Sequence, residues 1–397
     1  MKLSDRVLTI SPSLTLKITA QAKELKASGK NVIGFGAGEP NFSTPGFICD
    51  AAKEAIDKGF TKYTPASGTR ELKTSIAENL YKKSGLSYEA DCIVVSNGAK
   101  HSLFNICQAI LNPGDECILP SPYWLTYPEL IKMAGGVPIY IEGKEQNEFK
   151  PTIEDFKKAI TSHTKAIMLN SPSNPCGCVY TKKELEEIAK IAVENDLYVI
   201  SDEIYSELVY DGNEHVSIAS LGEDIKERTI VVNGMSKAYA MTGWRIGYTA
   251  SNKELAKAMG SYQSHATSNP NSIAQYASVA ALKGNDDFIK DMVKVFDNRR
   301  NLICSLLDKV PGLSYIRPKG AFYVMVNISG AIGKSINGQV ISGSADFGEQ
   351  LIKNVLVAVI PGAAFGADNY VRLSYALSEA DITDGIKRIS EFMDMLK

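Results

Sequence analysis

Histidine is scarce in this sequence of 397 residues, and cysteine occurs in a pattern that suits neither disulfides nor a metal site. The four histidines have none of the spacings typical of metal ligands. The seven cysteines are an odd number and lie mostly within apolar runs, which favours reduced thiols. Only Cys176 and Cys178 lie close together in sequence, without a second pair or a neighbouring histidine. We therefore expect no bound metal ion.

The sequence also lacks a basic segment and a long apolar run. Lysine and arginine number 43 against 45 aspartates and glutamates, a formal net charge of −2. Because no positive block is available to follow a phosphate backbone, nucleic acid is not an expected partner. No apolar run approaches the ~18 residues of a membrane span, and residues 1–6 contain no apolar signal segment. We expect no membrane partner and a cytoplasmic location.

The apolar patterns predict two units of different architecture, since a chain of this length exceeds one compact core. Helical and strand patterns alternate from about residue 46 to 290, which is typical of an α/β domain with a mostly parallel sheet covered by helices on both faces. The strand patterns of this part lie at 92–95, 116–119, 137–141, 165–169, 197–201, 229–232 and 245–249. Those of the tail lie at 313–316, 321–326, 356–360 and 370–375.

These patterns give three predicted parts. Residues 1–45 form an N-terminal arm and part of a small domain, residues 46–290 form the large domain, and residues 291–397 form the rest of a smaller α+β domain. Glycines between residues 34 and 38 do not indicate a dinucleotide site, because Pro40 and Pro45 stand where the helix of such a site should begin. A glycine-rich turn at the mouth of a ligand site is the better explanation.

Residues 236–247 are the first candidate for chemistry. They follow the apolar run 229–232, and α/β proteins bind ligands outside the carboxyl ends of their strands. Lys237 lies among small and apolar residues, which would favour its neutral amine, the form that attacks a carbonyl. Arg245 follows between two glycines that leave room for an anion. An amine beside a guanidinium suggests an aldehyde that carries a phosphate, although a surface lysine and arginine flanking a turn would have the same local pattern.

Two other predicted strands lead into groups that suit a flat, phosphorylated ligand. The strand at 92–95 continues through Gly98 and Ala99 into a helix, whose free N–H groups would bind a phosphate. Trp124 follows the strand at 116–119 and offers a ring for stacking, although packing in the core explains a single tryptophan equally well.

Polar side chains follow two further strands. Asn174 lies in a proline-rich loop after the strand at 165–169, where its amide is a possible donor. Asp202 emerges from an apolar run, and a carboxylate at that depth requires a cationic partner such as a protonated pyridine. Tyr205 lies three positions later and could donate its hydroxyl to a phenolic oxygen.

Together these groups match the requirements of pyridoxal 5'-phosphate. This cofactor needs an amine for its aldehyde carbon, an acid for its ring nitrogen, donors for its phenolic oxygen, a stacking ring and a phosphate site. Since all the candidates follow strands of one domain, the sequence predicts an enzyme that uses pyridoxal phosphate.

The chain resembles the class I aminotransferases of the aspartate aminotransferase group, which have the pyridoxal-phosphate fold type I, from about residue 3 to its end. The motifs that carry the resemblance are Gly38-Glu39-Pro40, Tyr63-Thr64-Pro65 with Gly68, Ser121-Pro122-Tyr123-Trp124, Asn174-Pro175-x-Gly177, Asp202-Glu203-x-Tyr205, Ser236-Lys237, Gly243-Trp244-Arg245-x-Gly247 and Arg372-Leu373-Ser374.

The resemblance implies a role for each residue. Lys237 would form a Schiff base with the cofactor and move the substrate proton, while Asp202 would keep the pyridine nitrogen protonated. Asn174 and Tyr205 would bind the phenolic oxygen, and Trp124 would stack on the ring. The phosphate would be held by Gly98, Ala99, Ser236 and Arg245, together with Tyr63 of a second subunit, so the resemblance implies a homodimer with shared active sites. Arg372 would bind the α-carboxylate of an amino acid or 2-oxo acid in a fork, helped by Gly38, Trp124 and Asn174.

The resemblance also implies a preference for dicarboxylic substrates. Lys100 matches a lysine that binds the distal carboxylate of aspartate, and Ser13 and Thr15 match a segment that supplies hydroxyl groups. The expected reaction is transamination between L-aspartate and 2-oxoglutarate. Alternatives are a broader aminotransferase that also uses alanine, prephenate or aromatic keto acids, and a pyridoxal-phosphate β-eliminating lyase on the same fold. A dinucleotide-binding reductase or a non-catalytic sensor is the alternative from another class.

Two positions depart from the family pattern. Gly234 stands where many relatives carry a serine that binds the phosphate, so only Ser236 offers a hydroxyl nearby. Cys176 stands where a threonine is usual, which we expect to change packing more than chemistry.

Overall fold

The computed structural model describes residues 2–397, and all of their side chains except those of Arg6 and Leu16. Its helices are α1 (Asp5–Leu8), α2 (Leu14–Ala27), α3 (Gly46–Asp57), α4 (Arg70–Ser84), α5 (Ala99–Ile110), α6 (Thr126–Met133), α7 (Ile153–Ala159), α8 (Lys182–Glu194), α9 (Glu223–Arg228), α10 (Met235–Ala238), α11 (Lys253–Ala266), α12 (Ser272–Lys283), α13 (Asp287–Leu307), α14 (Ser344–Val355) and α15 (Glu379–Met395). Its strands are β1 (Ile33–Gly34), β2 (Ile93–Ser96), β3 (Glu116–Ser121), β4 (Val137–Glu142), β5 (Thr164–Asn170), β6 (Tyr198–Asp202), β7 (Thr229–Gly234), β8 (Gly247–Ala250), β9 (Ser314–Tyr315), β10 (Tyr323–Asn327), β11 (Ser335–Ile336), β12 (Gln339–Val340), β13 (Val357–Ala358), β14 (Ile360–Pro361) and β15 (Tyr370–Ser374).

The larger sheet has seven strands in the order β2-β8-β7-β6-β5-β3-β4. Strands β3 to β7 are parallel to their neighbours within that set, whereas β8 runs antiparallel to both β2 and β7. The predicted α/β class with a mostly parallel sheet is therefore confirmed. All seven strands predicted from the apolar runs are present, within a few residues at each end.

The central strands are buried because helices cover both faces of this sheet. On β7, Val231 packs with α4 residues such as Leu72, while its neighbours Ile230 and Val232 pack on the opposite face with Leu103 of α5. Successive side chains of a strand point to opposite faces, so a strand covered on both sides must be apolar throughout. This requirement explains why these strands were visible as short continuous apolar runs.

The helices that cover the sheet begin at recognisable caps. Thr181 and Glu184 form a reciprocal capping box at the start of α8, and Thr152 and Asp155 do the same for α7. Each such cap stabilises its helix by about 1 kcal/mol relative to an uncapped start. These caps fix where the chain turns from the sheet edge into a covering helix.

A second, antiparallel sheet has the order β14-β15-β10-β9 and packs against α13, α14 and α15. Its core includes Phe296, Phe322, Phe347 and Phe392. Strand β1, from the beginning of the chain, pairs in parallel with β13 near the end. The β11–β12 hairpin was not expected from the sequence. The domain boundaries at residues 45 and 290 stay predictions. No helix within residues 2–397 is long and apolar enough to cross a membrane.

Candidate active site

A cavity of about 660 Å³ lies between the carboxyl edge of the large sheet and the second sheet. Strands β5, β6 and β7 end at this edge, at Asn170, Asp202 and Gly234. The opposite wall includes Arg372 of β15, and the N-terminal segment closes a third side. The cavity therefore combines residues from distant parts of the chain.

Most of the residues singled out from the sequence line this cavity: Ser13, Thr15, Gly38, Ala99, Lys100, Trp124, Asn174, Asp202, Tyr205, Ser236, Lys237, Arg245 and Arg372. Gly98 lies directly behind the lining, against Arg245. Tyr63 is not part of the lining, and its side chain is 92% exposed. Two lining residues that the sequence argument missed, Tyr127 and Tyr323, make close contacts with the predicted ones.

Lys237 reaches the cavity because β7 ends at Gly234 and the short helix α10 begins immediately afterwards. Its ammonium donates to the carbonyl oxygen of Gly38 and lies 5.8 Å from the ring centres of Tyr205 and Phe322. Burial lowers the pKa of Lys237 to about 8, with Glu39 opposing the shift. About a tenth of the Lys237 amine is therefore neutral at pH 7, far more than for a lysine with the ordinary pKa of 10.5.

Asp202 is buried at the end of β6 and has a raised pKa. Its Oδ2 accepts a hydrogen bond of 2.8 Å from the Tyr127 hydroxyl, and its Oδ1 accepts one of 3.1 Å from the Ile204 N–H. Burial raises the pKa of Asp202 to about 6, and these two donors limit the rise. Among the described residues, no cation lies at ion-pair distance from the Asp202 carboxylate. Because Asp202 lines the cavity, its carboxylate can pair there with a cationic group of a ligand.

The turn between β2 and α5 forms an open cradle. Gly98 has φ +86°, and a side-chain carbon built there would overlap the Arg245 guanidinium. The first N–H groups of α5 have no helical acceptor, so they can bind an anion. Arg245 itself has φ +59° and donates from Nη1 to the Thr242 carbonyl over 2.7 Å. The turn and the guanidinium thus meet at one point of the cavity wall.

Gly234 explains why this chain lacks the serine that the family pattern has there. A Cβ at this position would lie 2.8 Å from the Ile246 carbonyl oxygen, because β7 and β8 pair closely at Gly234 and Gly247. A serine would require the two strands to separate. Ser236, which lines the cavity, is the hydroxyl that remains available.

Arg372 is fully buried and held in place by two acceptors. Nη1 donates to Asn174 Oδ1 over 2.8 Å, and Nη2 donates to the Gly36 carbonyl over 3.1 Å. The guanidinium lies 4.4 Å above the Tyr323 ring, while Nε has no acceptor among the described residues. Since Asn174 uses its carbonyl oxygen for Arg372, its NH₂ group is the donor left for a ligand.

Tyr323 connects the two sides of the cavity. Its hydroxyl lies 3.0 Å from the hydroxyl of Tyr205, and burial raises the pKa of both phenols. Tyr205 comes from the loop after β6 and Tyr323 from β10 of the second sheet. No sequence signal pointed to Tyr323, because the contact depends on how the two sheets pack.

Lys100 extends from the first turn of α5 over the indole of Trp124, with Nζ 4.9 Å from the ring centre. Partial burial lowers the pKa of Lys100, and Arg245 lowers it further. Thr15 also faces the cavity, and its hydroxyl has no hydrogen-bond partner among the described residues.

Four of the cations that line the cavity have no acid at ion-pair distance. Within residues 2–397, no carboxylate lies at ion-pair distance from Lys100, Lys237, Arg245 or Arg372. Arg372 is buried and Lys237 is partly buried, and a charge withdrawn from water is costly unless an opposite charge joins it, so the cavity is suited to an anionic ligand. The same residues include no group of histidine, cysteine, aspartate and glutamate that could hold a metal ion.

Comparison with known proteins places this arrangement in a family. Residues 30–389 match the family described as aminotransferase class I and II. The aspartate aminotransferase of Bacillus sp. strain YM-2 is 49% identical over 391 residues, which cover 98% of this chain and 99% of the relative. The aspartate/prephenate aminotransferase of Cereibacter sphaeroides is 44% identical over 392 residues, or 98% of each chain.

A solved structure has the same fold. The aspartate aminotransferase from Thermus thermophilus with maleate superimposes with a TM-score of 0.92 at 42% identity, covering 98% of this chain and 99% of the other. Sequence identity at this level over nearly the whole length shows that these proteins share a family as well as a fold. The chain belongs to the class I and II aminotransferases, and it is an enzyme that transfers amino groups.

Proposed function

We propose that this enzyme uses pyridoxal 5'-phosphate to transfer the amino group of L-aspartate to 2-oxoglutarate, which yields oxaloacetate and L-glutamate. The observation that carries the proposal is the set of cations without acids. Arg245, Arg372 and Lys100 would meet three anionic groups, namely a phosphate, an α-carboxylate and a distal carboxylate, while Lys237 supplies the amine.

The residues present fit pyridoxal phosphate. The turn at Gly98 presents the first N–H groups of α5 beside the Arg245 guanidinium, and a side chain at Gly98 would overlap that guanidinium. Asp202 is a buried acid without a cation, which suits a protonated pyridine nitrogen. Trp124 offers a flat ring on one wall, and Tyr205 with the Asn174 NH₂ group offers donors for a phenolic oxygen. Ser236 is a further hydroxyl for the phosphate.

When bound, pyridoxal phosphate supplies an aldehyde that captures the amino group and a ring that takes up the electron pair released from Cα. Lys237 would provide the neutral amine that binds the aldehyde and would move the proton released from Cα of the substrate. Asp202 would hold a positive charge at the ring nitrogen. Lys237 and Asp202 lie on helix α10 and strand β6, whose neighbouring residues are buried, so their backbone positions are fixed before a substrate arrives.

Substrate recognition would use both walls of the cavity. Arg372 binds the α-carboxylate in a fork, and its unpaired Nε and its fixed Nη groups favour that geometry. Lys100 binds the distal carboxylate, helped by the hydroxyls of Thr15 and Ser13. The name of the Thermus thermophilus structure includes maleate, a dicarboxylate, which supports this part of the proposal.

The proposal includes a homodimer and a cytoplasmic location. Helix α3 and the segment after it expose the apolar side chains of Phe47, Ile56, Phe60 and Tyr63 outside the cavity. Burial of the segment around Tyr63 against a second copy would place Tyr63 of the partner subunit beside the phosphate site. Tyr63 would then complete a cavity that its own chain leaves open.

The test is an assay of the purified protein with and without added pyridoxal phosphate. We expect oxaloacetate to form from aspartate only when 2-oxoglutarate is present and the cofactor is bound. A yellow protein that loses its colour with aspartate and regains it with 2-oxoglutarate would support transamination. Release of ammonia and pyruvate from cysteine, which carries a thiol leaving group on Cβ, without any keto acid acceptor would instead indicate a β-eliminating lyase.

A panel of substrates decides the selectivity. Prephenate belongs in it because one relative is named as an aspartate/prephenate aminotransferase. Alanine and phenylpyruvate serve as partners without a distal carboxylate on the side chain. Equal kcat/KM for alanine and aspartate would contradict the dicarboxylate preference without contradicting the aminotransferase activity.

A further inference from the structure

We propose that Tyr127 is a positioning residue for Asp202, whose hydroxyl fixes the carboxylate and favours its ionised form, an inference that rests on the proposed function. Tyr127 lines the cavity, but the role we assign to it is through Asp202 and not through the ring nitrogen. It acts through the acid, and no sequence motif discussed above includes it.

The Tyr127 hydroxyl donates a hydrogen bond to a buried carboxylate, that of Asp202. Tyr127 is only 2% exposed, and it donates to Asp202 Oδ2 over 2.8 Å. The other oxygen, Oδ1, accepts from the Ile204 N–H. Among the described residues Tyr127 is the one side chain that donates to this carboxylate. A hydrogen bond to a charged acceptor in a buried site is about twice as strong as one between neutral groups.

The other charged and titratable groups near Asp202 do not replace this donor. Lys237 on α10 favours the charged form of Asp202, whereas Glu203 on the same segment disfavours it. The Glu203 carboxylate is engaged elsewhere, with Ser201, Ser217 and His215. Tyr205 follows three positions later and contacts Tyr323 instead. The phenol of Tyr127 is therefore the main hydrogen bond opposing the effect of burial on Asp202.

Tyr127 also supports the stacking wall. Its ring meets the Trp124 ring edge to face, with the centres 5.3 Å apart and the planes at 83°. Its backbone N–H donates to the Trp124 carbonyl over 2.9 Å at the start of α6. The Tyr127 side chain thus fixes the Asp202 carboxylate relative to the Trp124 ring. This double contact is a reason for the spacing between Trp124 and Tyr127.

The first test replaces Tyr127 by phenylalanine and measures the affinity of the apoprotein for pyridoxal phosphate. We expect Tyr127→Phe to weaken binding roughly 10- to 100-fold, the range of a hydrogen bond to a charged group. The matched control is Tyr315→Phe, which removes a tyrosine–aspartate hydrogen bond of 2.8 Å in the second sheet, away from the cavity. The control should bind the cofactor as the wild type does. Equal losses in both variants would overturn the proposal.

The second test uses no cofactor. The pKa of Asp202 is about 6, above its ordinary value of 3.8, so burial of the charged form reduces folding stability increasingly as the pH rises through this interval. Loss of the Tyr127 donor would raise the pKa of Asp202 further, so folding stability would continue to fall above pH 6. The melting temperature of the Tyr127→Phe apoprotein should therefore fall further below that of the wild type at pH 8 than at pH 5.

A double-mutant cycle identifies the pair. In the Asp202→Asn background, which cannot ionise, Tyr127→Phe should have a smaller effect on stability, and this effect should not vary between pH 5 and 8. A pH-independent loss in both backgrounds would assign Tyr127 a packing role only and would overturn the proposal. If Tyr127→Phe does not fold, 3-fluorotyrosine at position 127 retains the ring with a stronger donor. It should reduce the loss of folding stability between pH 5 and pH 8 relative to the wild type. An unchanged loss of stability would again contradict the proposal.

The two arms separate this inference from the proposed function. A wild-type protein that fails to bind pyridoxal phosphate would reject the function, whereas the pH arm on the apoprotein would still decide whether Tyr127 acts on Asp202. Normal cofactor binding by the wild type with no pH-dependent effect of Tyr127→Phe would reject the inference alone.

Discussion

In the proposed function, the side chains of Lys237 and Lys100 would take two different roles in one cavity. Lys237 lies on the floor, where burial lowers its pKa to about 8 and makes the neutral amine accessible. Lys100 lies at the rim above Trp124, in contact with solvent, with its charge available for a substrate. Only the first position requires a nucleophile, and the second requires a stable cation.

Lys237→Met should abolish transamination and change the pH dependence of apoprotein stability. The folded-state pKa of about 8 lies below the ordinary 10.5, so the unfolded state binds more protons between these values and the wild type gains stability as the pH rises through them. Methionine does not titrate. The melting temperature of the variant relative to the wild type should therefore be higher at pH 7 than at pH 10, as measured by calorimetry.

Parallel stability curves for these two proteins would contradict the lowered pKa of Lys237. Measurable turnover in the variant would contradict its role as the amine that carries the proton.

Lys100→Ala should separate dicarboxylic substrates from the rest. A bound dicarboxylate would cover Lys100, and removing one partner of a covered, hydrogen-bonded charge pair costs about 2–5 kcal/mol, so kcat/KM for aspartate and glutamate should fall by at least about thirtyfold. Alanine has no distal carboxylate, and its kcat/KM should change little. Steady-state assays with the three amino acids measure this ratio.

Arg372→Ala is the companion variant, because every substrate shares the α-carboxylate and all three should weaken alike. If Lys100→Ala damaged alanine and aspartate equally, the lysine would serve the cradle of α5 and not the substrate.

At the scale of the element, the turn from β2 into α5 owes its shape to one glycine. Gly98 combines φ +86° with direct contact to the Arg245 guanidinium. Gly29, at the end of α2, has a similar φ of +84° but nothing within 4 Å of the place where a side chain would begin. Both glycines have a backbone conformation that would strain a residue with a side chain. Only at Gly98 would such a side chain also collide with a neighbour, the Arg245 guanidinium.

Gly98→Ala and Gly29→Ala form a matched pair of variants. Both should lose about 1–2 kcal/mol of stability, because alanine disfavours a positive φ. Only Gly98→Ala should also displace Arg245 and weaken binding of pyridoxal phosphate, by roughly tenfold or more, in a fluorescence titration. Similar cofactor affinities in both variants would indicate that the cradle tolerates a side chain.

The same elements explain what the sequence could predict. Strands β2, β3 and β5 to β8 were recognisable because each is a buried, short apolar run, and Asp202, Lys237 and Arg245 stood out because each follows such a run. The antiparallel direction of β8 was not recognisable, since an apolar run has no direction.

Contacts between distant elements were also hidden. Tyr127 lies 75 positions from Asp202, and Tyr323 lies 118 positions from Tyr205. Both tyrosines resemble ordinary core residues in their own segments, and only the packing of α6 and β10 gives them their partners.

At the scale of the whole molecule, the cavity of one chain leaves Tyr63 unused. In the proposed homodimer each site takes its main residues from one chain and Tyr63 from the other, which complementation can test. Lys237→Ala and Tyr63→Ala homodimers should each be impaired. After subunit exchange, hybrid dimers should have one intact site, restoring about a quarter of the wild-type sites at equal mixing.

A mixture that never exceeds the mean activity of its components, despite exchange shown by mass spectrometry, would contradict shared sites. Exchange of wild type with Tyr63→Ala controls for the effect of mixing itself.

The pairing of β1 with β13 constrains the order in which the chain can fold during synthesis. The Arg388 guanidinium binds the Asn31 carbonyl across 357 positions, and the buried residues Val32 and Phe35 pack against segments close to the end of the chain. The large sheet is complete once residue 250 has left the ribosome, whereas this early segment must wait for almost the last helix. Such a long closure is entropically costly and leaves apolar side chains uncovered on the nascent chain. Val32 and Phe35 are therefore translated before the large domain but covered after it, and a chaperone that binds nascent chains would find an uncovered apolar segment there.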